Sequence, residues 1–176
     1  MAFSDALALT KLTGLFHSKN KPYQLRGEHS TTLSDLRSGP VVLVGAFNND
    51  WTMRLTGPLR FGFERDGDIF WLKDHADPDQ RDRAVSYATP YLRLAQDYAL
   101  ISRVLDPITE RMVVVVVGLT GYGTAAAAEF LSGAAMRAVA RDAPRNWAGK
   151  NLQLVVGTEV IAGNCGPARL LERHFW

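Results

Sequence analysis

Two stretches of this sequence combine residue types able to hold a small ligand, and each sits where a strand would pass into a helix. The first is Gly118-Leu119-Thr120-Gly121-Tyr122-Gly123-Thr124, placed after the apolar run Met112–Val117 and before an alanine-rich helix former. A helix start presents free backbone N–H groups and a partial positive charge, which suits a phosphate or a carboxylate. Gly121 and Gly123 would let a ligand approach the backbone, and Thr124 would cap the helix or touch the ligand. The spacing matches neither G-x-G-x-x-G nor G-x-x-x-x-G-K-[ST], and no lysine follows to meet a phosphate. The plainer reading is that these glycines permit a sharp turn and close packing.

The second stretch is Gly45–Thr52, GAFNNDWT, again a strand end entering a helix. Asn48 and Asn49 offer donors and acceptors, Asp50 a charge and Trp51 a stacking face. Helix capping by Asn or Asp, with a core Trp, accounts for the same residues without a ligand. In open α/β sheets ligands gather beyond the carboxyl ends of the strands, so two such loops on neighbouring parallel strands would face one site. A third candidate is Asp97–Arg103: along a strand Asp97, Ala99, Ile101 and Arg103 share a face, and Arg103 could meet an anion or form a structural ion pair. Glu129, five residues after Thr124, could pair with an arginine or act as a base; a surface glutamate is the plainer reading.

Other chemistries are poorly served. The single cysteine, Cys165, excludes an internal disulfide and a multi-cysteine metal site. His17, His29, His75 and His174 have no zinc-ligand spacing, so no metal and no cofactor is expected. There is no G-x-S-x-G elbow and no H-E-x-x-H. Twenty basic and eighteen acidic residues give a net charge of +2, too balanced to argue for nucleic acid. No apolar run approaches the roughly eighteen residues of a membrane span. The opening MAFSDALALTKLTGLF carries Asp5 and no basic region, unlike a signal peptide, which favours a cytoplasmic setting.

The elements that would position these loops follow from periodicity. At 176 residues a single domain covering 1–176 is expected. Residues 4–17 read as an amphipathic helix, Tyr23–Arg26 as a short strand and Ser30–Arg37 as a short helix. Val41–Gly45 is an apolar strand, and a helix follows to Thr56. Leu59–Asp74 carries Asp66-Gly67 between aromatic arms, the strongest hairpin signal in the chain. Tyr98–Leu105 and Met112–Val117 would pair as a hairpin, and Thr124 to Arg141 is helical, weakened at Gly133. Leu152–Ile161 and Ala168–Phe175 close the chain as strands. Val41–Val44 and Met112–Val117 lack polar alternation, so both are expected at the sheet centre. The fold class is α/β: a three-layer domain with a mixed sheet, parallel at its centre with antiparallel hairpins at its edges.

GAFNNDWT, LRF (59–61), DYALISR (97–103), GYGTAAAAEF (121–130) and the terminal Gly166, Pro167, Arg169 and Trp176 resemble an uncharacterised domain of bacterial, notably acidobacterial, proteins. That domain often follows a winged-helix DNA-binding region and a membrane segment, so the resemblance implies a sensory or accessory role. More weakly, Gly121-Tyr122-Gly123-Thr124 resembles the P-G-G-x-G-T-x-x-E motif of cytokinin-activating phosphoribohydrolases, with Leu119-Thr120 where Pro-Gly would stand and Glu129 two places late. It implies a nucleotide site. The leading expectation is a ligand-binding or sensory domain that takes a small anionic or nucleotide-like molecule between the two loops. The alternatives are a hydrolase or transferase acting on a nucleotide or glycosidic substrate, with Asp50 or Glu129 as acid or base, and a protein–protein interaction domain. Homodimerisation or attachment to a larger protein fits each.

Overall fold

The computed structural model describes residues 3–176. Its main sheet runs in the order β1 (Val41–Val44), β6 (Arg111–Gly118), β5 (Gln96–Asp106), β7 (Leu152–Ile161), with β9 (Arg169–Phe175) on the far side of β7 and β8 (Asn164–Cys165) folded against its end. A second sheet holds β2 (Phe61–Asp66), β3 (Ile69–Asp74) and β4 (Ala84–Ser86). The helices are α1 (Phe3–Ser18), α2 (Leu33–Arg37), α3 (Asp50–Thr56), α4 (Gly121–Ser132) and α5 (Ala134–Arg141).

The alternation of side chains along the strands divides the core in two. Val113, Val115 and Val117 of β6, with Leu100 and Val155, pack on α2, α3 and the aromatic face of the small sheet. Val116, with Ala99, Ile101, Leu154 and Val156, packs on α1, α4 and α5. The result is an α/β fold in three layers: helices, mixed sheet, and small antiparallel sheet with α2 and α3.

The sheet is mixed, but its parallel pair is not central. β1 pairs parallel with β6 and forms one edge, while the antiparallel strands β5 and β7 occupy the middle. Burial explains why the sequence suggested otherwise. β1 lies between layers on both faces, so it is apolar throughout although, among the described residues, no strand pairs with its outer side; Leu43 is buried and the three valines are half-buried.

The β2–β3 hairpin forms as expected, with Asp66 paired to Ile69 and Gly67-Asp68 as the two-residue turn. Gly67 has φ of +53°, which suits a first turn position. Tyr23–Arg26, expected as a strand, is exposed irregular chain that joins neither sheet. The helix expected over Thr124 to Arg141 begins earlier, at Gly121, and is cut by Gly133 into α4 and α5. Its N-cap is Thr120, which accepts from the Tyr122 N–H.

One side chain ties the two sheets together. The fully buried Gln153 accepts from the Phe61 N–H at 2.9 Å, donates to the Phe61 carbonyl at 2.7 Å and reaches the Ser102 hydroxyl at 3.2 Å. Its amide acts on Phe61 as a neighbouring strand would. At the rim, Arg60 grips Asp74 through two bonds and also meets Glu172, which receives Arg83 as well.

Candidate functional site

Parallel pairing aligns Val41 with Val113 and Val44 with Val116, so both strands end on the same side of the sheet. The loops that leave them, 45–49 and 119–120, therefore emerge side by side. Aromatic packing spans the pair. Phe47 meets Phe70 edge-on at 4.7 Å, Phe70 stacks on Tyr87 at 3.9 Å, and the Tyr87 hydroxyl donates to the Leu119 carbonyl at 2.6 Å. Tyr87 remains 49% exposed, so it offers a ring to the outside at the joint between the loops.

The first turn of α4 already holds a carboxyl group, and it belongs to the protein. Asp97, fully buried on β5, points its carboxylate into the turn. It accepts from the Thr120 hydroxyl at 2.6 Å, the Gly123 N–H at 2.5 Å, the Thr120 N–H at 3.2 Å and its neighbour's Tyr98 N–H at 2.8 Å. Burial pushes the Asp97 carboxyl up, and these donors offset only part of that shift. Tyr91, stacked on Tyr122 at 4.3 Å, is pushed up to about 12, first by burial and then by Tyr122 and Asp97 beside it.

The glycines are explained by this packing. None of Gly118, Gly121 and Gly123 has a positive φ. A Cβ on Gly123 would stand 2.5 Å from the Tyr98 carbonyl and 3.0 Å from the Asp97 carboxylate. On Gly118 it would stand 2.3 Å from the Thr124 nitrogen, and on Gly121 2.2 Å from the Ser4 hydroxyl. Close approach of helix to sheet requires Gly118 and Gly123, and the side chains of Ser4 on α1 and Tyr91 crowd Gly121; turn conformation requires none of them. Thr124 is buried; its hydroxyl accepts from the Gly118 N–H and donates to the Thr120 carbonyl.

In the other loop, Asn49 is buried as the α3 N-cap, accepting from the Thr52 N–H and donating to the Val44 carbonyl. Asn48 and Asp50 are exposed. The Trp51 indole donates to the Thr31 carbonyl. The structure does not bring Arg103 to these loops. It lies four residues along β5 from Ala99, the partner of Gly118, a separation of about 13 Å at strand rise. Its guanidinium donates to the Trp147 and Lys150 carbonyls and lies over the Trp147 ring, so its partners are carbonyls rather than a carboxylate. Glu129 pairs with Lys11 on the surface of the helical layer.

Asp97 is the residue whose role sequence reasoning missed. Its signal was a carboxylate just before the apolar Ala99–Ile101 run, on the same face as Ala99 and Ile101, which pack under α4. Among the described residues no three His, Cys, Asp or Glu side chains group as metal ligands, and no helix is long and apolar enough to cross a membrane.

Fold and loop geometry together define a three-layer α/β domain with paired strand-to-helix loops at one end of a mixed sheet. No protein-family model matches the chain, and no curated protein or solved structure matches it either.

Proposed function

We propose that this is a ligand-binding or sensory domain whose recognition surface is the sheet end where β1 and β6 terminate. The observation that carries the reading is the parallel register of those strands, which sets the two loops side by side. Of the small anionic and nucleotide-like ligands that the sequence suggests, the geometry favours the second. Asp97 takes up donors of the α4 first turn, leaving less there for a phosphate. The exposed Asn48 and Asp50, and the half-exposed Tyr87 ring, suit the hydrogen-bonding edge and flat face of a base. Asn49, Gly121, Gly123 and Thr124 then shape the loops from beneath rather than touching the ligand.

A thermal-shift panel of nucleosides, nucleotides, sugar phosphates and small carboxylates tests this. A ligand present at a hundred times its Kd adds about 2.7 kcal/mol of stability. The expected result is a rise in melting temperature with a base-containing compound, lost in Asn48→Ala and Tyr87→Ala. A flat response across the panel, or a hit unaffected by both substitutions, refutes the placement. Turnover of the bound compound would move the assignment to a hydrolase or transferase.

A further inference from the structure

The sheet edge away from those loops carries an independent feature. β9 pairs with β7 alone, and among the described residues no backbone hydrogen bond leaves its other side. Beside it, on the helical face, lies a groove of about 220 Å³ floored by Phe130, Ala138 and Val139 and walled by Leu170 of β9 itself. Asp142 and Arg173 stand at its rim.

The register fixes which way β9 presents its side chains. Leu170 pairs with Val156 and Arg173 with Leu154, and both partners belong to the core under the helices. Glu172 pairs with Val155 and turns to the opposite face, where Arg60 and Arg83 bind it. Leu171 is the extra residue of a bulge between those pairs. Leu170 and Arg173 are therefore successive groove-side positions.

We propose that β9 accepts an extended acidic peptide as an added strand, with one apolar side chain of the peptide seated in the groove. A strand laid along β9 would place side chains opposite Leu170 and Arg173 two residues apart, because the bulge absorbs the extra residue. The first of these enters the apolar groove and the second reaches Arg173. That guanidinium is exposed, and its contact is a long 3.5 Å donation to the Asp142 carbonyl, which leaves it available to a carboxylate. The surroundings reinforce the sign. Among the described residues Arg137, Arg141 and Arg145 form no ion pair, nor does Asp142 at the rim; three guanidiniums against one carboxylate leave this segment net positive, which favours an acidic chain. A second copy of this strand is a poor occupant, since antiparallel self-pairing would set Arg169 and Arg173 of one copy against those of the other.

The test is selection of a phage-displayed library of random ten-residue peptides on the whole chain, followed by affinity and hydrogen-exchange measurements. The expected outcome is enrichment of an apolar residue two positions from Asp or Glu, with peptide-dependent protection over residues 168–175. Arg173→Glu should exchange the acidic preference for a basic one. Ala138→Phe, which fills the groove, should weaken binding at least tenfold with the circular dichroism spectrum unchanged. Absence of enrichment, equal binding to both variants, protection elsewhere, or a dimer that buries β9 would each overturn the proposal. Because this edge is remote from the β1 and β6 loops, either outcome leaves the nucleoside panel to be judged separately.

Discussion

Asp97→Ala is the sharpest probe of how the glycine loop is held. The substitution removes the acceptor for the Thr120 hydroxyl, the Thr120 N–H and the Gly123 N–H, in a turn where Gly123 is buried and Thr120 half-buried. A buried donor left without a partner costs about 1–3 kcal/mol. The Tyr98 N–H loses its bond too, but as a strand residue with a half-buried ring it adds little. Relaxation of the loop toward water lowers the sum, so the expected loss is about 4 kcal/mol, near the lower half of the additive range. At about 2–4 °C per kcal/mol for a chain of this size, the melting temperature should fall by about 8–16 °C. Asp97→Asn keeps one carbonyl oxygen and should fall roughly half as far. Thermal denaturation followed by circular dichroism gives the magnitude, and hydrogen exchange at Thr120 and Gly123 gives the place. A loss under about 1 kcal/mol for the alanine variant, with the Gly123 amide still protected, would mean that the carboxylate does not hold the turn.

Gly123→Ala should destabilise by about 1–3 kcal/mol or more, because its Cβ meets the fixed Tyr98 carbonyl, whereas Gly149→Ala, with open space around it, should leave the melting temperature unchanged; equal effects would show that close approach is not what Gly123 provides. Gln153→Leu abolishes three buried hydrogen bonds and orphans both backbone groups of Phe61, so urea denaturation should register a loss of about 3 kcal/mol, and a loss within error would show that the clamp is dispensable. Burial pushes the Asp74 carboxyl up, but the Arg60 hydrogen bonds and charge outweigh it and hold the pKa below its ordinary 3.8. That contribution to stability is therefore complete above the unfolded value and is lost as pH falls through the lower folded one. Acid titrations of the parent and of Asp74→Asn should keep a constant gap above about pH 4 and draw together as pH falls below it, and curves parallel throughout would refute the linkage.

The hairpin was legible because Asp66-Gly67 between aromatic arms admits few other conformations, and β5, β6 and β7 because apolar, β-branched runs and turn residues agreed with one another. The position of β1 was not legible. A strand covered on both faces carries the same apolar side chains whether or not a neighbour pairs with its outer edge, since edge pairing uses backbone groups that leave no trace in residue type. The glycine loop was found, but its cause was not. Glycines that admit a ligand and glycines that admit a carbonyl look alike, and Asp97 lies more than twenty residues upstream. Arg103 was correctly placed on a face with Asp97, yet its two carbonyl partners come from an irregular turn near Trp147 whose path periodicity does not describe.

The Gln153 clamp has a consequence for how the chain is made. Phe61 and Gln153 are 92 residues apart, and Glu172, which receives Arg60, comes later still. At about 5–20 residues per second, the early hairpin waits about 5–18 s on the ribosome before the strand that secures it has been synthesised. During that interval β5 and β6 become available to its inner aromatic face, but β7, which brings Gln153 and Val155, does not. The molecule therefore completes its middle layer last, and the outer sheet, though its strands are all made before β5, can lock only when the final quarter of the chain arrives.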